Sequence, residues 1–344
     1  MKIGCKLLCV FLICAFILPH TTYETSAAVT RAGRTAPARI SVESEPVAYR
    51  GLGVTAMGER PVVSLPSNRQ LENEINQRIN EIYDIEISTV RRPAARTLVF
   101  SHSIRRSGDV VTILIEVSSA ANRPAQSAFG VTVDLGAEKI ISLTDVEGLG
   151  INALQICNQA VNDAISANPL FSNANFNEVD DTRCFYLDDN AVVLLFNEGE
   201  IAPAHLGVQR VRVEMDSILS VTIERDRIDI REDFYNLKLI PLRDVVQELG
   251  FDLSWNAATR EIRVSHGQFE TVITINRNSF FRVRGAVRSL EAAPFQNEYG
   301  ITFVPLSFFD QILDVSYSED ENGNIVFSIY RPEAGQTDQA HDIL

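Results

Sequence analysis

Lysine is nearly absent from this 344-residue chain: only Lys2, Lys6, Lys139 and Lys238 occur, against 45 acidic side chains. The formal net charge of −14 leaves little basic surface. Binding to phosphate backbones needs such a surface, so a general nucleic-acid binder is excluded and adsorption to anionic lipid is disfavoured. Long apolar runs are scarce too. The run from Leu7 to Pro19 falls short of the roughly 18–20 residues that span a bilayer. Catalytic signatures are missing as well: there is no HExxH, no CxxC, no GxSxG and no GxxxxGK[ST]. Neither a metal nor a cofactor is therefore expected. The remainder is an ordinary folded composition, 45% hydrophobic and 22% charged, in a chain long enough for two domains.

The N-terminus reads as a signal peptide over residues 1–28. Lys2 and Lys6 precede the apolar run, and Ser26-Ala27-Ala28 offers small side chains for cleavage before Val29. An uncleaved anchor is the alternative. Cleavage leaves no membrane span and implies a secreted, cell-wall-associated protein. It also leaves Cys157 and Cys184 as the only cysteines, which in an exported chain could form one disulfide. Cys157 could equally pack as a small hydrophobe, beside Leu154, Val161 and Ile165 on one helix face. Residues 29–39 read as a flexible leader and 331–344 as a disordered tail.

Between these ends the pattern is α+β in two domains, 40–218 and 219–330. The first should be an antiparallel sheet with two helices. Ser67 can cap a helix whose stripe is Leu71, Ile75, Ile79 and Ile82. A hairpin runs from Thr97 to Ser119, turning at Ser107-Gly108-Asp109, and another strand pair spans Phe129 to Leu143. A second helix covers Asn152 to Ala167. Three strands follow, at Arg183–Leu187, Ala191–Phe196 and Val208–Val213.

The second domain is a duplicated strand–helix–strand–strand unit. Leu239-Ile240-Pro241-Leu242 and Phe303-Val304-Pro305-Leu306 each lead from a strand into a helix, with the proline where its missing N–H costs nothing. The helical stripes Leu242, Val245, Val246, Leu249 and Leu306, Phe309, Ile312, Leu313 are each followed by an alternating strand, a polar turn and a last strand.

These motifs, with Leu249-Gly250, Trp255 and Ala292-Ala293-Pro294, resemble the domain named for the N-terminal region of copper amine oxidases, common in exported proteins of Gram-positive bacteria. That resemblance implies a stalk-like module and no copper chemistry. In the first domain, Ile75-Asn76, Ile141-Ser142-Leu143-Thr144-Asp145, Phe185-Tyr186-Leu187, Val193-Leu194-Leu195-Phe196 and Glu200-Ile201-Ala202-Pro203 with Gly207 resemble another exported domain. It is the extracellular domain shared by lysozyme-sensing anti-sigma factors and peptidoglycan deacetylases. Gly199 and Ala204 depart from it, standing where tyrosine is usual. The resemblance implies envelope recognition, and it points to Glu200, Pro203, His205 and Gly207 as binding residues. A segment that merely shapes a loop is the competing reading.

Other candidates are less organised. His102, His205 and His266 fall in three different elements, so no catalytic residue or metal ligand set is assigned. Asp180-Asp181, Asp188-Asp189, Glu198 and Glu200 could serve a carboxylate-dependent hydrolase, although turn chemistry accounts for the aspartate pairs. Arg277, Arg282, Arg284 and Arg288 form one basic cluster that could meet an anionic polymer, or simply face solvent. The expectation is a secreted, non-catalytic envelope protein whose partner is a cell-wall polymer or a wall-directed protein such as lysozyme. A carboxylate hydrolase and a structural coat or wall protein are the alternatives.

Overall fold

A computed structural model describes residues 40–51, 53–89, 96–119, 124–171, 175–231, 237–267, 269–278, 280–283 and 286–332. The signal and leader, and the tail beyond Pro332, lie outside them, as do the side chains of Arg282, Arg284 and Arg288.

The first unit opens with β1 (Ser41–Gly51), β2 (Val54–Ser64) and α1 (Arg69–Thr89), followed by β3 (Arg96–Ser107), β4 (Val110–Ser118), β5 (Ser127–Asp134) and β6 (Lys139–Ile140). The six strands form one sheet in sequence order. All neighbours are antiparallel except β2 and β3, which are parallel because α1 carries the chain back across the sheet between them. The cap of α1 is Asn68, one residue later than the sequence indicates: its Oδ1 accepts the Leu71 N–H at 3.0 Å. Glu72 reaches back to the Leu65 N–H at 2.6 Å.

Helix α2 (Ala153–Ala167) and the strands β7 (Phe185–Asp188), β8 (Ala191–Phe196) and β9 (Gln209–Glu214) complete the unit. Period-two alternation in β4 and β8 builds a four-layer stack. Val111, Ile113, Ile115 and Val117 face Leu71, Ile75 and Ile79 of α1. On the other face of that sheet, Leu114 and Ala128 meet Tyr186, Val193 and Leu195. Val192, Leu194 and Phe196 face the far side, against Ile156, Cys157 and Val161 of α2. Between the sheets, the Thr132 hydroxyl is within 3.0 Å of that of Thr112 and donates to the Phe185 carbonyl at 2.9 Å, so both buried hydroxyls are satisfied.

This stack removes the disulfide. Cys157 sits on α2, whereas Cys184 packs with the Tyr186–Val193 cluster on the opposite face of the β7–β8–β9 sheet. Both are free thiols, and burial pushes the Cys157 thiol up to about 12.

The second unit contains β10 (Ile218–Ile223), β11 (Asp229–Arg231), β12 (Leu237–Pro241), α3 (Leu242–Glu248), β13 (Asp252–Asn256), β14 (Glu261–His266) and β15 (Phe269–Thr274). After them come β16 (Phe280–Val283), β17 (Ala286–Ser289), β18 (Phe295–Gln296), β19 (Thr302–Pro305), α4 (Ser307–Gln311), β20 (Ser316–Glu319) and β21 (Ile325–Tyr330). Strands β12 and β19 pair antiparallel with Ile240 opposite Val304, Leu239 opposite Pro305 and Pro241 opposite Phe303. The equivalent residues Ile240 and Val304 thus face each other, and the flanking pairs are exchanged about a pseudo-two-fold axis that passes between them. One core holds Leu242, Val245 and Val246 with Phe308, Phe309 and Ile312.

The units are not beads on a string. Strand β10 leaves the first unit and pairs with β21, the last strand of the second. Tyr330, at the end of β21, belongs to the α2 core of the first unit. Arg331, assigned to the tail by the sequence, is anchored instead. Its N–H donates to the Ser217 carbonyl at 2.8 Å, its Nε donates to the Leu249 carbonyl at 3.1 Å, and its guanidinium lies 4.4 Å from the Phe251 ring centroid.

Candidate functional site

The segment from Asn197 to Val208 joins β8 to β9, and every part of it is tied down. The Asn197 Oδ1 accepts the Ala128 N–H at 2.8 Å, and the Glu198 N–H donates to the Gln126 carbonyl at 2.9 Å. The Gln126 Nε2 returns to the Glu198 carboxylate at 3.0 Å, and the Val208 N–H donates to the Ala125 carbonyl at 2.8 Å. The loop is therefore stitched along residues 124–128, the entry to β5.

Gly207 is where this stitching is closest. Its φ is 68°, and a Cβ built there would lie 2.6 Å from the Ala125 carbonyl oxygen and 2.7 Å from the Pro124 side chain. Only glycine satisfies both conditions. Pro203, exposed with φ −54°, precedes a single 3-10 turn over Ala204–Leu206 that carries the exposed His205.

Glu200 turns the other way. Its carboxylate pairs with Arg183 Nη1 at 2.6 Å, with the two side chains only 28% and 19% exposed. Arg183 also donates to the Leu195 carbonyl at 3.2 Å and lies 4.6 Å from the Phe196 ring centroid. The four residues assigned from the sequence are thus divided. Glu200 is a brace inside the loop, while His205 and Gly207 line a shallow hollow of about 240 Å³ with Ser119, Pro124, Gln126 and Glu198. Among the described residues, no Phe, Tyr or Trp lines it. A second hollow of about 220 Å³, on the Arg183 side, is lined by Asp180, Thr182, Cys184 and Asn197 among others.

Sequence reasoning missed Arg183, Gln126 and Asn197. Each acts across 17 to 72 residues of chain, and no local spacing signals such a pairing. The carboxylates near the site carry structural duties. Asp180 accepts from the Thr182 N–H at 2.9 Å and hydroxyl at 2.6 Å, and these bonds hold its carboxyl below the ordinary range. Asp181 accepts from the Thr144 N–H and hydroxyl at 3.1 and 2.9 Å. Asp188 pairs with Arg212 at 2.5 Å.

The histidines do not converge. His102 on β3 places Nε2 3.3 Å from the Ser44 hydroxyl, and burial pushes its pKa down. His266 on β14 places Nδ1 3.0 Å from the Gly250 carbonyl. Among the described residues no three His, Cys, Asp or Glu side chains come together as a metal site, and no helix is long and apolar enough to cross a membrane.

Residues 235–328 match the family described as copper amine oxidase N-terminal domain, and residues 145–216 match the family described as protein of unknown function DUF3298. The two matched segments fall within the two domains that the motifs delimit, and the second carries the family name that its motifs resemble. A curated protein from Brevibacillus choshinensis named "Protease inhibitor" is 30% identical over 126 residues, or 35% of this chain. The chain spans 38% of that relative's length. A crystal structure of a DUF3298 family protein from Pseudomonas aeruginosa aligns over 53% of this chain and 92% of its own, at 15% identity and a TM-score of 0.37. One from Bacteroides fragilis aligns over 53% and 93%, at 11% identity and a TM-score of 0.35.

Proposed function

We propose that the chain is a secreted, non-catalytic binding protein of the cell envelope that recognises a wall-directed protein such as lysozyme, or a wall polymer. The observation that carries this reading is the β8–β9 loop. Four hydrogen bonds and the Arg183–Glu200 pair hold it in one conformation at the surface, with Glu198 and His205 beside a hollow. A loop pre-organised in this way loses little entropy when it docks. The relative named a protease inhibitor supports a protein partner and adds a protease to the candidates.

The hydrolase alternative has less support. A general acid needs a raised pKa, whereas Asp180 is held low and Asp181, Asp188 and Glu200 are engaged in bracing contacts. The test is retention of the full chain on lysozyme-coated resin and on insoluble peptidoglycan, repeated with Glu198→Gln combined with His205→Ala. Retention by one matrix, lost in the double variant, is expected. No retention on either matrix would overturn the reading.

A further inference from the structure

The β8–β9 loop carries two carboxylates, and the fold treats them differently. Glu200 is neutralised by Arg183. Glu198, half-buried, meets only the neutral amide of Gln126, whose Nε2 donates to its Oε2 at 3.0 Å. The cations of the adjoining strand β9 are committed elsewhere: Arg210 pairs with Glu116, and Arg212 with Asp188 and Glu214. Among the described residues, no Lys or Arg pairs with Glu198. Arg123, next to Pro124 in the chain, lies outside the described residues.

The residue that holds Glu198 is itself fixed. The Gln126 N–H donates to the Val117 carbonyl at 2.7 Å, and the Gln126 carbonyl accepts the Glu198 N–H at 2.9 Å. The Glu198 carboxylate is thus held beside the hollow that Ser119, His205 and Gly207 also line, and its Oε1 is not engaged by Gln126. A partly desolvated carboxylate without a counter-ion favours a cation that reaches it, and a pre-oriented one loses little entropy in binding it. The size of the hollow narrows the occupant. About 240 Å³ is less than the roughly 300–1,000 Å³ of small-molecule sites, which leaves room for one side chain and not for a disaccharide.

We propose that the hollow beside Glu198 receives a single cationic side chain, lysine or arginine, from a protein partner, with its charge set against the Glu198 carboxylate. The net charge of −14 draws a basic partner towards the chain as a whole, and Glu198 fixes where its cation lands. The proposal rests on the reading of the chain as a binder of wall-directed proteins and names the chemistry by which that site holds its partner.

The test titrates the full chain with blocked tripeptides, Gly-Lys-Gly, Gly-Arg-Gly and the uncharged Gly-norleucine-Gly, and follows the backbone amide signals of His205 and Gly207 by NMR at low salt. At least one charged peptide is expected to move those signals, and the norleucine peptide is not. Glu198→Gln, which removes the charge and keeps the shape, should weaken the charged peptide about five-fold or more. The exposed Glu298→Gln of the second unit makes the same change in net charge and should alter it less than about two-fold. Circular dichroism checks that both variants fold. Signals unmoved by either charged peptide, moved equally by norleucine, or equally sensitive to the two variants would overturn the cationic hollow. Lysozyme and insoluble peptidoglycan, tested for retention in parallel, separate the two readings. Retention with any of those three results leaves the binding reading standing without this hollow. A charged peptide captured through Glu198, with retention by neither matrix, would overturn the wall-directed partner and leave the preference of the hollow for a cation intact.

Discussion

Gly207 shows how a functional-looking residue can owe its identity to packing. It combines a left-handed backbone with a close approach to Ala125 and Pro124. Gly53 has a similar φ of 82° but open space around the missing Cβ. Gly53→Ala should therefore cost only the backbone strain, about 1 kcal/mol. Gly207→Ala adds a clash with a carbonyl oxygen and should cost about 2–4 kcal/mol, measured by urea unfolding. Equal costs would contradict the packing account. Asp145 offers a pH test. Hydrogen bonds from Lys139 and from the Ser142 N–H hold its carboxyl at about 2, below its ordinary 3.8. A carboxylate with a depressed folded pKa stabilises above the unfolded value, and that contribution fades as pH falls through the folded value. Unfolding free energy should thus decline between about pH 4 and pH 2, and Asp145→Asn should flatten that decline. Gly207 and the Ile141–Asp145 motif stand out in the sequence only through the family resemblance, because the contact that requires Gly207 is with the distant Pro124 and Ala125. The partner of Glu200 could not be singled out, because Arg183 lies 17 residues earlier in the chain, just ahead of β7.

At the scale of elements, the repeat of the second unit was fully readable, and its symmetry explains why. Pro241 and Pro305, Leu242 and Leu306, Leu249 and Leu313 occupy equivalent places, so the same local signals occur twice and reinforce each other. The parallel pairing of β2 and β3 was not readable, since both strands and α1 look the same locally whichever way the sheet is wound. The cysteines illustrate a third case. Helix α2 and strand β7 were both located, but the sheet between the two thiols emerges only from the stacking of layers. Cys157 and Cys184 should both titrate as free thiols in denaturant and react slowly in the native state, where burial raises both pKa values. Reducing agent should leave the melting temperature unchanged; a drop would restore the disulfide. Strand β1 bears on the coat-protein alternative. It is an open edge of the six-stranded sheet, yet Pro46 interrupts its row of donors and Glu43 and Glu45 charge it. Replacing Pro46 and both glutamates with Thr should increase concentration-dependent association in sedimentation, whereas the natural chain should not associate through this edge.

At the scale of the whole molecule, one buried polar side chain, Asn152 just ahead of α2, links the two units alongside the β10–β21 pairing. Asn152 is the N-cap of α2, but its side chain makes no cap bond. Asn152 is fully buried and reaches into the second unit. Its Nδ2 donates to the Val326 carbonyl at 3.1 Å and the Ser328 hydroxyl at 2.9 Å, and its Oδ1 accepts the Ser318 hydroxyl at 2.6 Å. Beside it, Gln159 Oε1 accepts the Tyr330 N–H at 2.8 Å, and the Tyr330 hydroxyl is an acceptor for the Glu214 N–H at 3.3 Å. Two separately cored units joined in this way should unfold together. Differential scanning calorimetry of the natural chain should give one transition whose van't Hoff and calorimetric enthalpies agree. Asn152→Leu withdraws its bonds to the Ser318 hydroxyl and the Val326 carbonyl, whereas the Ser328 hydroxyl keeps that of Ser220 at 2.9 Å, at a cost of about 1–3 kcal/mol. Because those groups sit on β20 and β21 while the substituted residue sits in the first unit, the penalty falls on the junction and not on either core. The variant should split the single transition into two, and Tyr330→Ala should do the same by withdrawing the aromatic ring that the second unit lends to the α2 core. A single transition merely displaced to lower temperature would show that the coupling is spread over β10 and β21 as a whole, and that Asn152 is only one bond among many.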